Sequence, residues 1–163
     1  MSPSNSASGR SESFQSVQKS TGAHRNTDRL MEILENTAQL PPILEELAEE
    51  FNAPSFCEQL SAYMDRQQLN AARLSELALM SRSFTYQICN GERQPSRDIV
   101  LRLALVLGLS VEETQRLLRL AQKGVLYPRI RRDAILIFAL KDGIDLLATN
   151  ELLIAHGEMP LVS

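Results

Sequence analysis

The sequence predicts an all-α protein built from short amphipathic helices. Leu, Ala, Ile, Glu and Arg dominate after residue 27, and most of these residue types favour helices. Apolar residues recur there at spacings of three and four, and capping residues or glycines separate the apolar segments. With 163 residues, 44% of them hydrophobic, the chain can form a five-helix domain with an N-terminal and a C-terminal helical hairpin.

The charge is unevenly distributed along the chain. The formal net charge is −3, of which residues 1–53 carry −4, residues 54–98 zero and residues 99–163 +1. A protein that coats nucleic acid nonspecifically is strongly basic, so this charge argues against that class. A sequence-specific binder needs positive charge on only one face, so that class stays open.

Cysteine usage and hydropathy predict a cytoplasmic protein that is not inserted in a membrane. Two cysteines, Cys57 and Cys89, do not indicate a disulfide scaffold and are typical of reduced thiols. Residues 1–20 lack the apolar core of a secretory signal. The longest apolar stretch, 99–109, is broken by Arg102 and is too short to span a bilayer.

The N-terminal third predicts a disordered arm followed by a helical hairpin. Residues 1–25 are rich in Ser and have few large apolar side chains, so they cannot offset chain entropy by burial. Residues 26–53 contain capping side chains before one amphipathic helix, and Pro41 and Pro42 at the start of a second, acidic one. We expect this hairpin to pack on the domain or on a partner; an acidic mimic of DNA is the alternative.

Residues 54–123 predict five short helices in close succession. The expected helices span residues 55–66, 71–79, 82–89, 97–107 and 111–122. Side chains suited to N-capping precede four of them, namely Asn70, Ser81, Ser96 and Ser110. Residues that tolerate left-handed φ are expected to end three of them, namely Asn90 with Gly91, Gly108 and Gly124.

The second and third of these helices are joined by a tight turn. The residues expected to be buried on the second helix and in the turn are Leu74, Leu77, Ala78 and Met80. On the third helix, Thr85 and Ile88 are expected to face inward. Its outward side chains are then Arg82, Ser83, Tyr86 and Gln87. A short helix with long polar side chains at its exposed N-terminal end can lie in the major groove.

The stretch 69–110 resembles the lambda-repressor/Cro-like (XRE) family of helix-turn-helix regulators most clearly, and the resemblance as a whole covers about 65 of the 163 residues without a gap. The family pattern S-R-S-x-x-x-x-I-x-N-G-x-R-x-P-S is matched by Ser81, Arg82, Ser83, Ile88, Asn90, Gly91, Arg93, Pro95 and Ser96. The resemblance implies a transcriptional regulator that binds double-stranded DNA sequence-specifically, with recognition helix 82–89 in the major groove.

The same resemblance implies roles for individual residues. Arg82, Ser83 and Gln87 occupy base-reading positions, where Arg can pair with guanine and Gln with adenine. Tyr86 or Phe84 would touch a thymine methyl group or a phosphate. The residues expected to contact phosphates are Asn70, Ala71, Asn90, Arg93 and Arg97, the first two through backbone amides.

The chain departs from the family at two places. Ala71 stands where the family often has a Gln that contacts the DNA backbone and the first base. Met64 and Cys89 stand where it often has a buried Arg–Glu pair, and their joint replacement leaves no unpaired buried charge. Ala71, the neutral charge of residues 54–98 and the acidic N-terminal helices favour the alternative, a protein-interaction adaptor that retains the fold without reading DNA.

Residues 124–163 predict a C-terminal helical extension that echoes the preceding helix pair. Residues 104–122 align with 139–157 at an offset of 35, which predicts helices over 132–141 and 145–156. The first of these is apolar nearly all round, so we expect burial on more than one side and a homodimer through this region. Residues 126–158 resemble tails of Gram-positive bacterial XRE regulators, to which no activity is attached.

A basic cluster precedes that extension. Arg129, Arg131 and Arg132 are expected to be a solvated linker, with a contact to flanking phosphate as the alternative.

No catalytic or metal-ligating pattern is found in the sequence. His24 and His156 have no Cys or Asp partner at a useful spacing, and no phosphate loop or nucleophile elbow occurs. We therefore expect neither enzymatic activity nor a cofactor.

Overall fold

The computed structural model describes residues 27–163, and every regular element in that range is an α-helix. The helices are α1 (Thr27–Asn36), α2 (Leu40–Glu46), α3 (Ala48–Phe51), α4 (Phe56–Arg66), α5 (Ala71–Leu77), α6 (Arg82–Cys89), α7 (Arg97–Val106), α8 (Val111–Leu120), α9 (Arg131–Asp142) and α10 (Leu146–Ala155). The all-α prediction is confirmed. The predicted disordered arm, residues 1–25, lies outside the described residues.

The chain divides into two units, of which the first ends at Ala53 and the second spans Pro54–Ser163. The described part of the first unit consists of α1, α2 and α3. Prolines lie in the first turn of α2, where a missing amide hydrogen costs no helical hydrogen bond. Of the residues on the predicted apolar faces, Leu47 is fully buried and Leu30, Ile33 and Ile43 are half-buried, whereas Leu34, Leu44 and Phe51 are exposed.

In the second unit, side-chain caps define where the helices begin. The N-caps predicted for α5 to α8 are confirmed, because each side-chain oxygen accepts a hydrogen bond from the amide three residues further on. Ser55 adds a capping box with Glu58 at α4, and Ser110 makes the same arrangement with Glu113 at α8. Local hydrogen bonds therefore fix the boundaries of the helix-turn-helix region.

The ends of two helices differ from the prediction. Helix α5 ends at Leu77, and Leu79 takes a left-handed φ of 56°. Leu77 is 38% exposed and was wrongly predicted to be buried, because Leu74 and Ala78 occupy the inner side of this early turn. Helix α8 ends at Leu120, where the left-handed residue is Gln122, with φ 57°, rather than the predicted Gly124.

The core of the second unit is continuous from α4 to α10. Its fully buried large residues include Leu60, Leu74, Ile88, Leu101, Leu103, Leu107, Leu109, Leu117, Leu118, Leu136 and Leu153. A bidentate ion pair joins α4 to α8, with Arg66 nitrogens 2.6 and 3.1 Å from the Glu113 carboxylate oxygens. The C-terminal helices α9 and α10 therefore belong to the same hydrophobic core as the five helices before them.

The 35-residue repeat is a repeat of structure. Gly108 and Gly143 both have left-handed φ, 62° and 66°, and each is followed by a capped helix. The Gln115 side chain then clamps the backbone of Leu126, at 2.8 and 2.7 Å. Its counterpart Asn150 clamps the backbone of residues 161 and 162 in the same way, at 2.6 to 3.1 Å. The repeat thus extends beyond the residues that align by sequence.

Reciprocal ion pairs lock the two repeats together. The Arg97 guanidinium lies 3.0 and 2.8 Å from the Asp133 carboxylate oxygens, and Arg132 lies 2.9 and 3.0 Å from those of Asp98. Helix α7 packs on α10, and α9 packs on α8. The prediction of a solvated linker is therefore wrong for Arg132, because its side chain also donates to the Met159 carbonyl at 2.9 Å.

Candidate nucleic-acid interface

Helix α6 is held by its inner face and presents its outer face to solvent. The Ser81 side chain caps its start, and the Thr85 hydroxyl donates to the Ser81 carbonyl at 2.9 Å. Thr85 and Ile88 are 1% exposed, which confirms the predicted inner face. Because burial of Thr85 and Ile88 fixes the rotation of the helix, it also determines which side chains point outward.

The four side chains expected to read bases differ in their exposure. Arg82 is free of the core, with 69% of its side chain exposed, and Ser83 is exposed beside it. Tyr86 is 47% exposed, whereas Gln87 is half-buried. Phe84 is partly buried against the core, so Tyr86 is the better placed of the two aromatic residues. The structure thus places three polar side chains and one aromatic ring on the same side of α6.

An acidic residue lies beside the arginine of this face. Glu76 Oε1 is 3.8 Å from an Arg82 nitrogen, and Glu76 Oε2 accepts a hydrogen bond from Arg73 at 2.9 Å. All three side chains are more than half exposed, so these are surface ion pairs of small energy. The carboxylate nevertheless reduces the positive potential at Arg82, and sequence spacing did not indicate this contact across the turn.

The loop after α6 folds back on the helix. The amides of Glu92 and Arg93 donate to the Gln87 carbonyl at 2.9 and 3.2 Å. Gly91 has a φ of 77°, and a Cβ there would lie 3.3 Å from Cys57 Sγ. The Arg93 guanidinium stacks over the Phe84 ring at 5.4 Å. Asn90 and Arg93, both expected to contact phosphate, are exposed in this loop at the C-terminal end of α6.

The start of α5 carries the other predicted phosphate contacts. The Asn70 side chain accepts a hydrogen bond from the Arg73 amide at 2.8 Å, so it is already used as the helix cap. Ala71 is half-buried and packs against the core. Both side chains are therefore used within the protein, and the contact of the two backbone amides with phosphate stays a prediction.

The structure gives Arg97 a different role from the expected phosphate contact. Besides pairing with Asp133, its guanidinium donates to the carbonyls of Gly124 and Val125 at 2.8 and 3.0 Å. Four of its five N–H groups are thereby used inside the protein. The assignment of Arg97 as a phosphate ligand is therefore corrected, and the residue is an internal anchor of α7.

The buried Arg–Glu pair of the resembled family is replaced here by a sulfur contact. Cys89 Sγ lies 4.0 Å from Met64 Sδ, between α6 and α4. Burial raises the pKa of the Cys89 thiol, which therefore stays protonated. Cys57 and Cys89 form no disulfide. Contact between two neutral side chains preserves the packing of α6 on α4.

Neither a metal site of His, Cys, Asp or Glu ligands nor a membrane-spanning helix is found in the described part of the chain. No group of three or more His, Cys, Asp or Glu residues within 27–163 could hold a metal ion. None of the helices in this range is long and apolar enough to cross a membrane.

A comparison with protein families identifies the region that carries this interface. Residues 56–117 match the model of a family described as a helix-turn-helix domain. Neither the curated proteins nor the solved structures include a match to the chain. The matched range begins with α4, contains α5, the turn and α6, and ends within α8. Residues 56–117 of this chain are therefore a helix-turn-helix domain.

Proposed function

We propose that the protein is a sequence-specific DNA-binding regulator of transcription that inserts α6 into the major groove of duplex DNA. The observation that carries the proposal is the outer face of α6, where Arg82, Ser83 and Tyr86 are exposed on a helix fixed from behind. In helix-turn-helix proteins the second helix of the motif reads base edges with its N-terminal residues.

The side chains of α6 divide into two kinds of contact. Arg82 would pair with guanine and Gln87 with adenine, while Ser83 and Tyr86 complete the base-reading face. Asn90, Arg93 and the backbone amides of Asn70 and Ala71 would contact phosphates and set the position of the helix on the duplex. Arg97 is excluded from this set because its donors are used internally.

The test is a fluorescence-anisotropy titration of genomic duplex fragments with the full chain at several salt concentrations. The wild type is expected to prefer some fragments over others, and Arg82→Ala and Gln87→Ala are each expected to weaken binding to preferred fragments about 10- to 100-fold. Arg119→Ala, an equal loss of charge at an exposed position on α8, is the matched control and is expected to change affinity little.

Two results would contradict the proposal. One is equal binding of all fragments by the wild type and both α6 variants. The other is the absence of DNA affinity together with stoichiometric capture of a protein partner, which would favour an interaction adaptor. The second candidate has one structural observation in its favour, namely exposed apolar residues on α9 and α10 such as Phe138 and Ile154.

The proposal includes a homodimer formed through the C-terminal helices, because two-fold related half-sites in DNA require two recognition helices. It also places the protein in the cytoplasm, where DNA and reduced thiols are found together, and assigns it no enzymatic activity.

A further inference from the structure

Three sulfur-containing side chains converge where α4 packs on the C-terminal end of α6. Cys57 and Met64 lie on the same face of α4, two turns apart, and Cys89 is the last residue of α6. Met64 Sδ lies 4.0 Å from Cys89 Sγ. Cys57 Sγ donates a hydrogen bond to the Ile88 carbonyl at 3.4 Å, so it contacts the peptide group that precedes Cys89.

The two cysteines are neighbours in space although they are far apart in the sequence. Burial and, to a smaller extent, the charge of Cys57 raise the pKa of the Cys89 thiol, so the two thiols interact electrostatically. Gly91 gives Cys57 room, since a Cβ at Gly91 would lie 3.3 Å from Cys57 Sγ. Both cysteines are free and half-buried, and Met64 is 9% exposed. The sulfur cluster formed by Cys57, Met64 and Cys89 is therefore shielded from water but accessible to a small ion.

The donor atoms of the sulfur cluster are soft. Thiolate and thioether ligands select soft ions such as Cu⁺, whereas structural Zn²⁺ sites take four nitrogen or sulfur ligands and Mg²⁺ and Ca²⁺ take oxygen. Within residues 27–163, no group of three or more His, Cys, Asp or Glu residues offers a harder set of donors. Two thiolates and one thioether therefore suit a monovalent soft ion better than a divalent one.

The spacing of the cluster suits three sulfur ligands around one ion. A zinc–sulfur bond, taken as the measure of a metal–thiolate bond, is about 2.3 Å long, so two sulfurs at about 120° around one ion lie about 4.0 Å apart. The distance from Met64 Sδ to Cys89 Sγ has this value. Cys57 would complete the set by turning its thiol away from the Ile88 carbonyl, which costs one weak hydrogen bond from sulfur.

We propose that Cys57, Met64 and Cys89 form a binding site for one Cu⁺ ion. On binding, the two S–H bonds break, two thiolate–copper bonds and one thioether–copper bond form, and two protons pass to solvent. Copper keeps its oxidation state, so the step requires no oxidant or reductant. The bound ion would tie the end of α6 to α4. Copper binding at this site is independent of the proposed function, so either can fail alone.

Competition for Cu⁺ between the reduced full chain and the chromophoric chelator bicinchoninate, under nitrogen, tests the proposal. The wild type is expected to withdraw one Cu⁺ per chain and to gain ultraviolet sulfur-to-copper charge-transfer absorption. Cys57→Ser and Cys89→Ser are each expected to weaken binding more than about 100-fold, beyond the loss of roughly 10- to 100-fold that is typical of residues that only support a ligand. Met64→Leu is expected to weaken it about tenfold, because a neutral thioether binds less strongly than a thiolate.

Met80→Leu is the matched control for Met64→Leu. Met80 is half-buried against the core in the turn between α5 and α6 and is not part of the sulfur cluster, so its replacement is expected to leave the affinity for Cu⁺ unchanged. X-ray absorption at the copper edge is expected to show three sulfur neighbours in the wild type and in Met80→Leu, and two in Met64→Leu.

Three results would overturn the proposal: a wild type that withdraws no Cu⁺ from the chelator, serine variants that bind Cu⁺ as tightly as the wild type, or one ion shared between two chains. The sulfur cluster would then serve packing alone. Circular dichroism checks that the variants fold, and Met64→Leu, an exchange of apolar side chains of similar volume, remains informative if a serine variant does not fold. Anisotropy of the copper-free chain with DNA tests the proposed function separately.

Discussion

At the scale of single residues, Asp133 is the most constrained charge described in the molecule. The residue is 1% exposed to solvent, and its carboxylate accepts hydrogen bonds from Arg97 and from the Tyr127 amide. Burial by itself would raise the pKa of this carboxyl, but the hydrogen bonds from Arg97 and Tyr127 outweigh it and lower the pKa below its usual value. Its counterpart in the first repeat, Asp98, pairs with Arg132 in the same way, but the Asp98 side chain is 40% exposed.

Asp133→Asn is therefore expected to lower the free energy of unfolding by about 3 kcal/mol, because it leaves the Arg97 guanidinium without its charged partner in a mostly buried site. Asp98→Asn removes the equivalent charge from a more exposed pair and is expected to cost about 1 kcal/mol or less. Urea denaturation of both variants beside the wild type measures the difference. Equal losses in the two variants would show that burial of Asp133 has no energetic consequence.

The Asp133 pair also predicts a pH dependence. Since the folded-state pKa of Asp133 is lowered, its contribution to stability is fully present above the unfolded-state value of about 4 and is lost as the pH falls through the folded-state pKa. The difference in unfolding free energy between the wild type and Asp133→Asn should thus be largest near neutral pH and shrink in acid. Denaturation curves across this range test it, and a difference that grows in acid has the wrong sign.

Gln122 is a non-glycine residue in the left-handed region, whereas its counterpart in the second repeat is Gly157, with φ 73°. Gln122→Gly is expected to raise the free energy of unfolding by roughly 0.5 to 1 kcal/mol, because glycine adopts this conformation without a Cβ clash. Lys123→Gly, at the next position and without positive φ, is the control and should lower stability. Thermal melts would refute the idea if both substitutions acted alike.

At the scale of elements, α5 and α6 act together because Glu76 of one helix lies beside Arg82 of the other. Glu76→Gln is expected to strengthen DNA binding about two- to fivefold, since it removes a negative charge beside Arg82, the arginine proposed to read bases. Glu112→Gln, the same change at an exposed site on α8, should leave affinity nearly unchanged. Anisotropy titrations at low salt compare them, and an affinity gain shared by both variants would indicate a general charge effect.

The helices of the domain were predictable because their boundaries depend on neighbouring residues. Ser81 caps α6 and Ser96 caps α7 through amides three residues away, which sequence spacing reveals. Leu77 and the end of α8 were mispredicted because Leu79 and Gln122 adopt the left-handed conformation that spacing assigns to glycine. Exposure of Arg82, Ser83 and Tyr86 followed from the correct assignment of the inner residues of α6, whereas Gln87 at the edge of this face is half-buried.

Contacts between residues that are far apart in the sequence could not be predicted from local spacing. Arg97 looked like a phosphate ligand at a helix start, and only the fold brings Asp133 to it. A usable signal did exist, because the dipeptides Arg97–Asp98 and Arg132–Asp133 are separated by the 35 residues of the repeat. The repeat is clearest in sequence from residue 104 onward, after the first dipeptide, so the reciprocal pairing went unpredicted.

At the scale of the whole molecule, residues 54–163 join a helix-turn-helix motif to a duplicated helix pair in one core. The first copy of the pair, α7–α8, supports α4 and α5, and the second copy leaves the equivalent face open. A regulator built this way would read one half-site with each α6 and join two half-sites through α9–α10. The two surfaces belong to different elements, so substitutions in one need not disturb the other.

The whole account depends on α6 recognising base sequence. Its most direct test is selection of duplexes from a randomised library by the full-length protein, followed by sequencing of the enriched pool for the wild type, Arg82→Ala and Gln87→Ala. The account predicts that the wild type enriches a defined motif and that each variant loses preference at its own base position. A wild-type pool without a motif, or a motif that both variants reproduce unchanged, would contradict it.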